Sequence, residues 1–484
     1  MRWALVQPDD PYSVERRCQA VWTRRAIALL VMGLALPGAA QIAHGDRRWG
    51  RLGYRLWGIV ALLLGLIGLS AWLARGPLLT VLGTGWVLQA LAVGVALVGA
   101  AWLVIWINTW WLTRPRRLGR VRGLVVTALS VLVAVGLVVG SGALARALFV
   151  AGSSISSIFG GGGDVKPKDG RYNILLLGAD SGADREGLRP DSITVASVDA
   201  DSGRTVLLSL PRNLEDVPFP EDSPLHGLYP SGYSCGSHEC MLNAVYLLGR
   251  QHADLYPAVG DPGLAATMDA VRGVTGLDLN YYAMVNMEGF VALIDAFGGI
   301  DLTINQRVPV GTHNQVDWWI EPGPSVHLSG EQALWFARTR VGSDDYDRMR
   351  RQKCVMAAML NQLDPVNVAT RFTSIAQASG QVLITNVPSG QLGVLAQLAL
   401  RARRLPVASL SFTPPLIHSG SPDFDLIRSL VRSEIERAEA LDAGPGPVSD
   451  PTSTSATVPV QPSASAPPSE PTNQVDDLQA VCSV

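Results

Sequence analysis

The chain has 484 residues, a formal net charge of −2 and 48% hydrophobic residues, which is too long for one ordinary domain and too apolar for a disordered chain. The near-neutral balance hides two opposed halves: residues 1–150 carry sixteen arginines against four acids, and the remainder carries 23 basic against 37 acidic residues. The acidic back half excludes a general nucleic-acid binder, because its field repels phosphate except at local arginine clusters.

Residues 1–25 form a basic N-terminal segment, expected on the cytoplasmic side. Within 26–150 three apolar runs, about 56–74, 80–107 and 123–145, are each long enough for a bilayer span of about 20 residues. A fourth run, 26–45, is broken by Pro37 and Gly38. Arg16, Arg17, Arg24 and Arg25 precede it and Arg47, Arg48, Arg51 and Arg55 follow, so both flanks favour the cytoplasm. It reads as a re-entrant or interfacial segment; as a true span it would make four crossings and turn the large domain inward. Arg114, Arg116, Arg117, Arg120 and Arg122 lie between the second and third spans, and only Arg75 between the first and second. Three spans then place the N-terminus inside and everything after about 146 outside: a multi-pass cell-membrane protein with an extracytoplasmic domain.

Residues 151–171 form a Gly/Ser linker whose glycines are no nucleotide loop, since no Gly-Lys-Ser/Thr follows. From 172 to 442 strand and helix patterns alternate. "YNILLLGAD" (172–180), "DSITVASVD" (191–199) and "RTVLLSLPR" (204–212) read as strands, and 261–276 as a helix closed by Gly276. The expected fold class is α/β: N-terminal transmembrane helices, then a mixed β-sheet sandwiched between α-helices. Residues 443–484 are rich in Pro, Ser and Thr and are expected to be disordered, ending near Cys482.

Cys235, Cys240, Cys354 and Cys482 all fall on the expected outer side, while Cys18 is alone inside. An even number outside suits two disulfides, a short Cys235–Cys240 loop and Cys354 with Cys482; four unpaired thiols is the other reading. The histidines are scattered, and there is no nucleophile elbow, metal-binding histidine pair or Walker loop.

Two stretches carry chemistry. In "GADSGADREGLRPDS", Asp180 and Asp191 end apolar runs with Arg189 beside the second. Two carboxylates at neighbouring strand tips can share a hard cation such as Mg²⁺, although loops also favour Asp and Gly for turning. Arg212 ends another strand, at the edge where open α/β sheets place ligands. In "FARTRVGSDDYDRMRRQ", residues 336–352 hold five arginines and three aspartates. A helix there puts Arg348, Arg351 and Gln352 on one face with Asp345 as its cap, and the spacing of Arg338 and Arg340 predicts strand-like alternation. A solvated helix face is the plain alternative, but converging arginine forks suit a polyphosphate or pyrophosphate.

In their order, "NILLLGAD", "RPDSITVASVD", "LSLPRN", "LNAVY", "YYAMVNMEGFVALIDAFGGIDL" and "LSGEQALWFARTR…DDYDRMRRQ" resemble the LytR–CpsA–Psr family over about 172–364. The resemblance implies a membrane-anchored enzyme that transfers a glycopolymer from a polyprenyl-pyrophosphate carrier onto peptidoglycan with Mg²⁺, and a hydrophobic pocket for the polyprenyl tail. It assigns Asp180 and Asp191 to the metal, and Arg189, Arg212, Arg338, Arg340, Asp345, Arg348 and Gln352 to the pyrophosphate site. Asn213 stands where that family usually has Asp, and Met241 where it often has lysine. A polyprenyl-pyrophosphate hydrolase and a non-enzymatic membrane-anchored protein that binds or regulates lipid precursors are the alternatives.

Overall fold

The computed structural model describes residues 11–73, 81, 84–159, 165–180, 189–236, 238–257, 259–311, 315–342, 345–362, 383–442 and 473–475. The chain divides into two compact units, residues 1–156 and 157–484.

The first unit is helical: α1 (Pro11–Ala35), α2 (Ala39–His44), α3 (Arg47–Leu73), α4 (Gly85–Leu112) and α5 (Arg120–Ile158). Among the described residues three helices are long and apolar enough to cross a membrane, within Arg47–Ser70, Gly85–Arg117 and Arg120–Ser156. Their outward faces carry large apolar side chains such as Leu62, Leu64, Trp86 and Leu132, a surface suited to hydrocarbon and not to water. Between α1 and α2 the chain breaks at Pro37–Gly38, where Gly38 takes φ +101 and Gly53 of α3 approaches its backbone closely. A side chain on either glycine would strike backbone, so this break is fixed by steric need.

The second unit is a seven-stranded mixed sheet. Its strands are β1 (Arg171–Asp180), β2 (Arg189–Asp199), β3 (Thr205–Leu210), β4 (Tyr281–Asn286), β9 (Leu383–Thr385), β10 (Ala408–Ser411) and β11 (Gln474–Val475), ordered β11-β10-β3-β2-β1-β4-β9. Strands β5 (Ile300–Ile304) and β8 (Gly323–Leu328) form one small ribbon, and β6 (Val308–Val310) and β7 (Trp318–Ile320) another.

Alternation along the strands feeds two cores. Leu175, Leu177, Val195, Leu208 and Leu210 face one layer, against α6 (Val245–Gln251), α7 (Pro262–Thr275) and α12 (Phe424–Asp442). Leu176, Ala196 and Leu207 face the other, against α8 (Met287–Phe297), α9 (Gly330–Arg338) and α10 (Asp345–Gln362). Helix α11 (Leu392–Ala402) covers Tyr172 and Tyr281 at the start of β1 and β4. The sheet is therefore sandwiched between helices, as period-two hydrophobicity in strands buried on both faces requires.

Two expectations fail. Residues 151–158, expected as the start of a Gly/Ser linker, continue helix α5, since Ala, Ser and Ile there carry no helix breaker. Gln474 and Val475 lie in the stretch expected to be disordered, yet they pair with Leu410 and Ser409 as an edge strand. Glu434, 1% exposed, explains the docking: it accepts from Gln474 Nε2, and Asn473 Nδ2 donates to Thr413 O. Cys235 and Cys240 form a disulfide, and Cys354 is disulfide-bonded as well; its expected partner Cys482 lies outside the described residues. Replacing buried Val475 by Asp should undock β11 and destabilise the second unit by about 2 kcal/mol. An unchanged thermal transition for Val475→Asp would show that the edge strand contributes nothing.

Candidate active site

The ends of three strands meet at one edge of the sheet. Because β1 and β2 are antiparallel, Asp180 at the end of β1 lies opposite Arg189 at the start of β2. The register then slips: Ala179 pairs with Pro190 and Gly178 with Ser192, leaving Asp191 as the extra residue of a bulge. A bulge re-aims the side chain it carries. Asp191 turns to Arg212, just past β3, whose Nη1 donates to Asp191 Oδ1 at 2.6 Å. The side chain of Asp180 lies outside the described atoms; its backbone position beside Asp191 is the one expected.

The other half of the site comes from α9 and α10. Helix α9 opens with a capping box, Ser329 with Gln332, and its last residue is Arg338. The segment before the arginines is thus helical, and the strand-like alternation expected for Arg338 and Arg340 is corrected: helical propensity and the Ser329 cap outweigh a two-residue spacing. Thr339 caps α9 with extended backbone and is 2% exposed, so Arg338 and Arg340 flank a buried residue and point outward. Arg340 Nη2 lies 4.0 Å from Asp191 Oδ2, and its Nε 3.4 Å from Asp345 Oδ1.

The face expected on α10 is present, with a division of work that spacing does not reveal. Arg348 Nη2 donates to Asp345 Oδ2 at 3.0 Å and to the Asp191 carbonyl at 3.4 Å. Arg351 and Gln352 instead reach back to backbone: Arg351 Nη2 donates to Thr339 O, and Gln352 Nε2 to Ala337 O at 3.3 Å. They clamp the segment that carries Arg338 and Arg340. Asp345, in the first turn of α10, offers its side chain as a second carboxylate to Arg340, Arg348 and, at 3.7 Å, Arg212 Nε. Arg189 is exposed at the same sheet end, and its charge opposes the rise that burial and Tyr229 cause in the Tyr233 phenol. Asn213 Nδ2 donates to Ser419.

Three guanidinium groups, Arg212, Arg340 and Arg348, thus share the Asp191 and Asp345 carboxylates. The Arg348 side chain is only 3% exposed. Burial pushes it down to about 10 against the pull of Asp345, and Arg340 and Arg212 push the same way. Arg212 Nε and Arg348 Nε are buried with no hydrogen-bond acceptor. Excess positive charge with unused donors is the chemistry that a strong anion can satisfy. Among the described residues no group of three or more His, Cys, Asp or Glu could hold a metal unaided. Asp191 carries hard carboxylate oxygens of the kind Mg²⁺ takes, an ion that fills its shell with water and phosphate oxygens.

A narrow crevice with about 10 Å³ of free space, room for a single water, lies at the cluster between β2, β3 and α10. Its lining includes Asp191, Arg212 and Arg348 of the cluster together with Ser209, Lys353 and Met356. Eight of the twelve residues lining it are polar or charged. Lys353 is 7% exposed and donates to Ser411 Oγ. Burial, and then Arg350, push its amine down to about 8. Sequence reasoning did not single out Lys353 or the clamping role of Arg351.

Residues 155–414 match the LytR_cpsA_psr family. The chain is 25% identical over 236 residues to "Biofilm regulatory protein A" of Streptococcus mutans, covering 47% of this chain and 53% of that one. It is 30% identical over 266 residues to "Cell wall biosynthesis protein LcpA" of Corynebacterium glutamicum, 49% of each. It is 26% identical over 232 residues to "Polyisoprenyl-teichoic acid--peptidoglycan teichoic acid transferase TagU" of Bacillus cereus, 48% of this chain and 65% of that one. The match thus spans half to two thirds of each of these relatives.

The buried lysine makes a prediction independent of activity. Folded, Lys353 releases its proton near pH 8; its ordinary value is 10.5. Between those values the unfolded chain binds more protons, so stability rises with pH, while below pH 8 the burial penalty is fully present. Lys353→Met should therefore raise the melting temperature of the protein in detergent at pH 7, with the gain shrinking from pH 8 to 10. Parallel melting curves for the two proteins across that range would show that no ammonium is buried.

Proposed function

Because the chain belongs to the LytR_cpsA_psr family, we propose that it transfers a glycopolymer from a polyprenyl-pyrophosphate carrier onto peptidoglycan at this cluster. The observation that carries the reading is the buried Arg348 among Arg212 and Arg340, with Nε donors that have no acceptor. A pyrophosphate supplies both the negative charge and the paired oxygens such forks bind. The names of the Bacillus and Corynebacterium relatives support the same class of reaction.

In this reading a peptidoglycan hydroxyl oxygen attacks the phosphorus that bears the glycopolymer. The bond from that phosphorus to the bridging oxygen breaks, and polyprenyl phosphate leaves with the electron pair. Arg212, Arg340 and Arg348 hold the phosphate oxygens and neutralise charge that builds on the bridge and the leaving group. Asp180 and Asp191 would hold Mg²⁺, which supplies further neutralisation of phosphate charge when bound. Arg189 and Arg338 lie at the rim as further phosphate contacts. Arg351 is a positioning residue that fixes the segment bearing Arg338 and Arg340, while Gln352 shares that clamp and also lines the crevice beside Arg212 and Arg348, within the pyrophosphate site. A carboxylate shared by arginines is a weak base, so positioning and charge carry most of the rate.

Two features support an extracytoplasmic domain on a multi-pass anchor. The Cys235–Cys240 bridge and the bonded Cys354 suit an oxidising compartment. The arginines of residues 1–150 cluster on the flanks that three spans would leave inside.

The test uses the full-length protein in detergent with a polyprenyl-pyrophosphate glycan, peptidoglycan fragments and Mg²⁺. Release of polyprenyl phosphate and covalent attachment of glycan are followed together. Asp191→Asn and Arg348→Ala should each lower turnover by about 100- to 1,000-fold, and chelation should abolish it. Lipid that binds equally well to wild type and Asp191→Asn without turnover would leave only a binding protein. Arg351→Ala should lower kcat by about 100-fold with melting temperature little changed, and Arg351→Lys should recover part of it. A loss of activity that tracks loss of folded protein would reduce Arg351 to a structural role.

A further inference from the structure

The helical unit holds a cavity that the transfer reaction does not use. Ile27, Leu30 and Val31 of α1 and Val125, Val126 and Leu129 of α5 line about 240 Å³ of free space. Thr23 and Arg122 are the polar residues of the lining. Leu30 and Val126 are buried, while Ile27, Val31, Val125 and Leu129 are exposed, so the cavity is a groove open along its side. Its lining runs over residues 23–31 of one helix and 121–129 of the other, eight steps or about 12 Å. That is most of one leaflet's hydrocarbon depth, about 15 Å.

One end of the groove is charged. Arg122 stands there, and Trp22, next to Thr23, has Arg25 5.3 Å and Arg117 5.4 Å from its ring centroid. Cation–π contacts thus gather two like charges beside one indole. Among the described residues no carboxylate pairs with Arg25, Arg117 or Arg122: Arg25 meets His44 at 2.9 Å, and Asp46 accepts from the Arg48 and Trp49 amides at the start of α3. Water is a poor filling for apolar walls, and a hydrocarbon chain alone leaves the three cations unanswered. An anionic phospholipid answers both needs, with a chain in the groove and phosphate oxygens on the guanidinium forks. The three-span reading puts these arginines on the cytoplasmic side, which favours a lipid of that leaflet over a donor that reacts on the other side.

We infer that the groove between α1 and α5 is a binding site for one anionic phospholipid of the cytoplasmic leaflet. One acyl chain lies along residues 27–31 and 125–129, and the phosphate meets Arg25, Arg117 and Arg122. The bound lipid pins α1, which is not one of the three spans, against α5. The inference rests on the three-span reading and not on the transfer chemistry.

The test titrates the full-length protein in neutral detergent with dioleoyl phosphatidylglycerol or dioleoyl phosphatidylcholine and counts retained lipids by native mass spectrometry. Wild type should hold one phosphatidylglycerol at least about tenfold more tightly than phosphatidylcholine. Arg117→Gln combined with Arg122→Gln, both at exposed positions, should bring the two lipids within about threefold of each other. Val125→Trp keeps every arginine but fills the groove, and should weaken phosphatidylglycerol about tenfold. Glycerol 3-phosphate, which has the phosphate without the chain, should not displace the lipid. Equal retention of the two lipids by wild type, adducts that grow without stopping at one, unchanged retention by Val125→Trp, or displacement by glycerol 3-phosphate overturns the inference. Polyprenyl phosphate bound more tightly than phosphatidylglycerol also overturns it and gives the groove to the isoprenoid carrier.

Discussion

A buried guanidinium with too little counter-charge governs this domain. Arg348 is almost wholly enclosed, and the carboxylates within reach, Asp191 and Asp345, are shared with Arg212 and Arg340. Such a group destabilises the fold unless its donors are met, so everything around it is arranged to hold it still. The bulge in β2 turns Asp191 toward it, and the first turn of α10 sets Asp345 three residues before it. The uncompensated charge that remains is the form of a site that binds a strong anion. An ion pair complete in itself would have no such use for a ligand.

Position follows from packing on the α10 side of the sheet. Phe336, Val355 and Ala358 lock α9 and α10 into one core, and Arg351 and Gln352 tie α10 to the carbonyls at the end of α9. Arg340 is thereby fixed by contacts on its neighbours, with half of its own side chain open to solvent. Charge in the site is set by a few arginines, and geometry by residues that never meet a ligand. A mutation in the clamp would act through distance, which phosphoryl transfer tolerates poorly.

How much of this was legible depended on the range of the interaction. Asp180, Asp191 and Arg212 stand at the ends of apolar runs, so one strand period was enough to place them together. The α10 face was legible from helical spacing, because Arg348 and Gln352 are four apart. The segment 336–340 misled because "ALWFA" suits either period, and the Ser329 capping box that decides it sits seven residues upstream of Phe336. Lys353 was illegible for a different reason. A lysine in a charged helix ordinarily faces water, and only the register that brings Ser411, Ser209 and Thr194 into line shows where its amine goes. Registers between β10 and β3 join residues some 200 apart in sequence, and no local pattern encodes them. The edge strand β11 was hidden likewise, since the Pro/Ser/Thr stretch before it gives no sign of a docking site on Glu434.

On the proposed reading, the arginine cluster also bears on how the two ends of a lipid-linked donor are held. Moving an isoprenoid from a bilayer to a protein pocket exchanges one apolar surrounding for another, so the pocket gains little unless it fits closely. A head group is different: its charge has no counterpart in hydrocarbon, and a cluster such as Arg212, Arg340 and Arg348 offers one. Selection then falls on the part of the donor that differs between pathways, the sugar-phosphate end.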